Sequence, residues 1–380
     1  MRVLQQLSRA GAPAADALTP LQAIEPDLVL VFGSVVALTE PGFAEALRTI
    51  FPKAGLAGCT TAGEITADGV LDGSCVVTAI AFGDTTVRVA EAELTGLSGS
   101  RAAGDELGAA LADPGLAGVL LFGRGTDING SALIEGLVGR VGSGIPVSGG
   151  LAGDDGAFVR TFVLSPSGVS DNRVVAVGLY GDRLRFGHGS FGGWEPFGPA
   201  RKVTRCDGNI LYELDGEPAL NVYKRYLGDY AKDLPASGLL FPFELLNENH
   251  SAVGLIRTIL GIDEAAGSLT LAGTVADGFY LRLMHASTDA LIHGAESAAR
   301  SSTRDLVPTG PSLGLLVSCV GRKLVMGDQV DEEVQAVADH LGGDCTLAGF
   351  YSYGEISPMQ GLSDCKLHNQ TMTVAVLSES

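Results

Sequence analysis

LAGCTTAGEIT at 56–66 returns near the far end of the chain as LAGFYSYGEISP at 347–358, and the two align without a gap on Leu-Ala-Gly and Gly-Glu-Ile. With 53 glycines present, LAG alone arises by chance, as its copies at 151–153 and 271–273 show. LAG and GEI at one fixed spacing are harder to obtain and point to an internal duplication. The preceding stretches agree, since DLVLVFG (27–33) leads into the first copy and LGLLVSC (313–319) into the second. Between them, GVLLFG at 118–123 followed by IPVSGGLAGDD at 145–155 restarts the same grammar. Short apolar runs bounded by Gly and Pro read as buried strands. The amino-terminal part therefore contains two related units, and the carboxy-terminal part echoes them.

Between the strands, helical spacing appears. Phe43, Ala44, Ala46, Leu47 and Ile50 follow the start signals Thr39, Glu40 and Pro41, and Ala102, Leu107, Ala110 and Leu111 precede the Pro114-Gly115 stop. Further helices are predicted at 131–141, 218–227, 288–301 and 331–341, with strands at 73–82, 86–93, 158–164, 174–180, 184–188, 238–246, 253–260, 278–285 and 370–377. The stretch 191–211, with the sole Trp and an Asp-Gly turn, reads as a linker and hairpin. Strands in succession alternating with helices predict an α/β fold of mixed α+β character. Its two domains, 25–215 and 216–378, are each built on mixed sheets flanked by helices, with internal repeats, a division that suits 380 residues.

A net charge of −19 and a pI near 4.6 argue against nucleic acid or an anionic membrane face as partners. No apolar run has the length of a signal peptide or membrane span, so a cytoplasmic protein is expected. The six cysteines lack framework spacing and are expected as free thiols.

The repeated loops are the first candidate site. Gly58, Gly63, Gly349 and Gly354 let main-chain N–H groups approach a small anion, Glu64 and Glu355 offer carboxylates to an ammonium group, and Thr60, Thr61, Tyr351, Ser352 and Tyr353 supply neutral donors. Asp154 and Asp155 after GGLAG belong with them. The competing reading is a set of structural turns whose carboxylates cap nearby N–H groups. Enzyme signatures are thin. GHGSFG at 187–192 has dinucleotide-fingerprint spacing without the following helix, GPSLG at 310–314 precedes a strand where a nucleophile elbow follows one, and no Walker A sequence occurs. Cys365 and His368 with Cys319 or Cys345 form an irregular zinc set, and Cys59 is a nucleophile only if a His approaches it.

Taken together, DLVLVFG with LAGCTTAGEIT, SGGLAGDD with KVTRCDGN, LLVSCVGR with LAGFYSYGEISP, and LHNQTM at 367–372 resemble the FIST sensory domains, amino- and carboxy-terminal modules together, from about residue 25 onward. The resemblance implies a sensory module, not an enzyme, that binds a small ligand, with amino acids one proposed class, and reports to a signalling partner. No separate transmitter stretch is recognised, so signalling in trans is expected, and a homodimer is compatible with it.

This format also resembles the haem-binding, nitric-oxide-sensing (NosP-like) subset that regulates a partner histidine kinase in a two-component system. That likeness implies haem b and an axial ligand, usually a neutral His in an apolar pocket. Alternation along Phe279, Leu281, Leu283 and His285 makes His285 the leading iron ligand, its competing reading being a hydrogen-bonded core histidine. His293, four residues after Asp289, and His368, in LHNQT, are the other candidates. An amino-acid or metabolite receptor without haem and a Cys59-dependent hydrolase are the alternatives.

Overall fold

The computed structural model describes residues 1–304, 306, 310–358 and 365–380. Leu28, Leu30 and Phe32 face one core while Val29 and Val31 face another. This is why DLVLVFG is apolar throughout and does not alternate: its strand is buried on both sides.

That strand, Leu28–Gly33, pairs in parallel with Gly55–Thr60. Leu116–Gly123 pairs likewise with Val147–Leu151, and Ser312–Cys319 with Cys345–Ser352. Helical segments join the two strands in each case: Val35–Leu38 and Phe43–Ile50, then Gly130–Val141, then Val320–Met326 and Asp331–Leu341. The mixed α/β architecture is as expected, but the repeat occurs three times, at 2–81, 86–180 and 184–379. Two antiparallel strands flank each parallel pair on one side: Cys75–Ala81 and Arg2–Ser8, Arg173–Tyr180 and Thr86–Glu93, Met372–Glu379 and Leu184–Phe191.

The other side of each sheet is completed by a hairpin from a different repeat. The hairpin Glu64–Thr66 and Gly69–Leu71 of the first repeat adds to Cys345–Ser352 of the third. Val163–Ser165 and Gly168–Ser170 of the second add to Gly55–Thr60 of the first. Gly354–Pro358 and Cys365–His368 of the third add to Val147–Leu151 of the second. The exchange closes a ring of three six-stranded sheets.

Inside the ring, Phe32, Phe122 and Phe350 meet with centroids 4.7 to 6.2 Å apart. Gly58, Gly149 and Gly349 hold equivalent positions where a Cβ would run into the carbonyl oxygen of Val31, Leu121 or Leu316 on the neighbouring strand, so glycine is required there. Helices cover the outer faces with Leu107, Leu111, Leu133 and Leu137 in the second repeat and Val334 and Val337 in the third.

The third repeat is interrupted. After Leu184–Phe191 the chain leaves to build a nine-stranded sheet, and it returns only at the helix Thr288–Ser302. The inserted unit contains the strands Arg201–Asp207, Phe243–Leu246, Ala252–Arg257 and Tyr280–His285 and the helix Ala219–Leu227, around its own core of Val203, Leu214, Tyr223 and Leu281. The glycines of GHGSFG serve packing: a Cβ at Gly187 or Gly189 would strike the backbone of the helix Thr288–Ser302. Among the described residues, no helix is long and apolar enough to cross a membrane.

Candidate functional site

The repeated loops do converge. Gly58, Thr60, Thr61, Glu64, Asp154, Tyr351, Tyr353 and Glu355 are all buried where the repeats meet. The first echo touches the second directly, the amide of Ala62 donating to the Tyr351 carbonyl (2.8 Å) and that of Tyr351 to the Gly63 carbonyl (2.8 Å).

Their polar groups are taken up internally. The carboxyl of Glu64 meets the Thr61 hydroxyl and accepts from the Ser74 amide at 3.1 Å and hydroxyl at 2.6 Å. Glu355 repeats the pattern with the Ser352 hydroxyl (2.8 Å), the Thr371 amide (3.0 Å) and the Thr371 hydroxyl (2.9 Å). Burial pushes both carboxyls up to about 7 against these hydrogen bonds. Asp154 accepts the amides of Phe158, Val159 and Arg160, each at 2.8 Å, and meets the Tyr353 hydroxyl. Tyr351 meets Glu333, which is ion-paired to Arg322 at 2.6 Å with both side chains fully buried. Such saturated loops are structural junctions first.

Open space lies one step outward, between the third repeat and the inserted sheet. A cleft of about 390 Å³ is walled by Phe191, Trp194, Ile256 and Met284, with Glu244, His368 and Thr371 as polar groups. Largely apolar walls with a few convergent polar groups are the usual setting of a small-ligand site. Its floor is the LHNQT loop, which the marker motif holds from beneath: Thr371 bonds Glu355, and a ring nitrogen of His368, Nε2, lies 3.0 Å from the Ser357 carbonyl. Burial depresses His368 to about 4, so the imidazole is neutral near pH 7, and with Nε2–H on that carbonyl the other nitrogen keeps its lone pair.

The same loop carries unusual backbone and polar features. Gln370 adopts φ 64, its carbonyl accepts from the Trp194 indole at 2.8 Å, and the side-chain oxygens Asn369 Oδ1 and Gln370 Oε1 are buried without a hydrogen-bond partner among the described residues. Strained backbone and orphan acceptors concentrate at functional segments.

The histidines separate clearly. His285 ends its strand half-buried, edge-on to Phe197 at 5.8 Å, and its neighbour Met284, not His285 itself, lines the cleft. His293 is exposed on its helix, with Nδ1 2.8 Å from the Asp289 carbonyl and not on the carboxylate. His368 alone of the three faces the cleft. Cys59 is fully buried and its thiol is raised by burial, the reverse of an activated thiolate. Among the described residues no group of three or more His, Cys, Asp or Glu side chains is arranged to hold a metal ion. Trp194 and Glu244 were not singled out from sequence, although the lone Trp in a Gly-rich stretch was a usable signal.

Residues 27–217 match the FIST N domain and residues 219–358 the FIST C domain. The chain belongs to the FIST family. The two matches meet inside the inserted sheet, and the cleft draws Trp194 from the first, Glu244, Ile256 and Met284 from the second, and His368 and Thr371 from beyond both. An uncharacterised protein of Mycobacterium tuberculosis is 29% identical over 262 residues, 66% of this chain and 62% of the relative. One of Mycobacterium bovis is 28% identical over 266 residues, 66% of this chain and 61% of the relative. The FIST chain thus spans about three fifths of the length of these relatives. An uncharacterised protein of Methanocaldococcus jannaschii is 38% identical over 92 residues, 23% of this chain and 17% of its own. A cyanuric acid hydrolase structure from A. caulinodans covers 100% of this chain and 99% of its own at 11% identity, with a TM-score of 0.37.

Proposed function

We propose that this FIST chain is a small-ligand sensor whose ligand seats in the cleft between the third repeat and the inserted sheet. The observation that carries this reading is the 367–372 loop, where a neutral His, a non-glycine residue at positive φ and two orphan acceptors underlie an aromatic-walled cleft. The walls suit a ligand of amino-acid size with an apolar body and a hydrogen-bond donor. Occupancy can be passed inward, because Thr371 rests on Glu355, and Arg322 reaches the Gly192 carbonyl at the cleft wall while pairing with Glu333 beneath Tyr351.

The sole tryptophan makes the test direct, since Trp194 lines the cleft. Titration with amino acids and related metabolites should shift its emission saturably and raise the melting temperature in parallel. Thr371→Val should weaken both effects together. A ligand that raises the melting temperature with no change in emission and no response to Thr371→Val would place binding elsewhere.

A second reading has its own support in His368, whose one ring nitrogen rests on a carbonyl as metal-bound imidazoles require. On that reading the group is haem b, supplying an iron for nitric oxide, and the readout is a histidine kinase. The residues fit it only with His368 as ligand, because His285 does not line the cleft. A Soret band that vanishes in His368→Ala and survives in His285→Ala and His293→Ala would support it, and failure to take up haem would end it.

A further inference from the structure

Arg257 is 4% exposed and forms no ion pair with any described residue. Its Nε donates to the Thr274 carbonyl at 3.1 Å and its Nη1 to the Ile256 carbonyl at 3.1 Å, and no hydrogen bond to a described residue uses Nη2. An arginine withdrawn from water normally brings a carboxylate with it, because an uncompensated buried cation stays strongly unfavourable even after relaxation. Arg322 in this same chain obeys that rule with Glu333. Desolvation lowers Arg257 to about 10, and no acid among the described residues offsets it.

Arg257 also lines a small separate pocket of about 40 Å³, behind the strand that walls the main cleft. Ser131, in the first turn of the 12-residue helix Gly130–Val141, lines it, and so does Lys366. The positive end of that helix dipole adds to the charge of the buried Arg257 on this wall. Glu135 stands on its wall but is paired with Arg101 at 2.6 Å. A pocket of this volume holds about three water-sized centres. That is the size of one planar carboxylate group, the partner a guanidinium fork matches best.

We propose that Arg257 and its pocket form a receptor for a carboxylate group, a second ligand subsite distinct from the main cleft and separated from it by the strand Ala252–Arg257. The assignment stands whatever fills the larger cleft. Gly273 belongs to it, since a Cβ there would lie 2.8 Å from the guanidinium Cζ and push the fork aside.

The test uses the full chain at neutral pH and fixed ionic strength, melted in sodium formate, acetate, phosphate or chloride, with calorimetric titration of formate and acetate. Formate and acetate should raise the melting temperature by a few degrees over chloride, roughly the effect of saturating one native-state site, and should titrate to one site. Arg257→Met, which replaces the buried charge with an apolar chain, should fold and lose the increment. Should that variant fail to fold, Gly273→Ala should cut acetate affinity tenfold or more. No saturable binding by the native chain, an increment kept in Arg257→Met, or phosphate acting as strongly as formate would each overturn the proposal.

Discussion

Glu64 and Glu355 occupy equivalent positions in the first and third repeats, and desolvation raises both from 4.5 to about 7. Between those values the folded chain keeps protons that the unfolded chain releases, so the stability they contribute is complete below 4.5 and is lost as pH rises through 7. His368 has the opposite sign. Burial lowers it from 6.5 to about 4, so its contribution is complete above 6.5 and is lost as pH falls through 4. The midpoint of urea unfolding followed against pH should therefore decline less on the alkaline side in Glu355→Gln and less on the acid side in His368→Asn. Slopes unchanged from the native chain would show that these groups do not hold the protons assigned to them. The glycines of the LAG strands act through shape, and Gly349→Ala should lower stability by about 1–3 kcal/mol or more through overpacking, measurable in the same urea series.

Among the elements, the hairpin after the second parallel strand of each repeat decides the architecture, because it crosses to the sheet of another repeat. The apolar strands and their following helices were legible in the sequence, since a strand buried on both faces must be apolar at every position and an amphipathic helix must repeat every third or fourth residue. The crossing was not legible. Residues 64–66 pair with residues 348–350, and no local signal states which sheet a short hairpin will join. The Arg322–Glu333 pair braces the third repeat between the cleft wall and Tyr351. Glu333→Ala leaves a fully buried arginine uncompensated and should cost about 3–5 kcal/mol, whereas Arg322→Met with Glu333→Leu should cost much less. Urea melts of the single and double variants check this, and equal losses would mean the pair acts by packing alone.

For the whole molecule, the exchanged hairpins make the FIST N and FIST C stretches interdependent. Residues 1–217 lack the hairpin Gly354–Pro358 and Cys365–His368 that completes the second sheet and the strands that receive the first repeat's hairpin. Expressed alone, they should show no cooperative melting and should bind a dye for exposed apolar surface. A sharp transition at the native chain's melting temperature would contradict the closed ring.

The sequence by itself determined the helices, most of the strands, the existence of repeats and the family, because these rest on local periodicity or on motifs that recur at fixed spacing; it left Arg2–Ser8 unread as a strand and began the strand at 163–165 five residues early. Its echo of LAG and GEI marked two loops that the structure brings into direct contact. Tertiary structure alone decided that there are three repeats closed by exchanged hairpins, that the insertion splits the third repeat, and that His368 and not His285 faces a cleft. These depend on contacts between residues hundreds of positions apart, and alternation along one strand tells which side chains share a face without telling what that face meets.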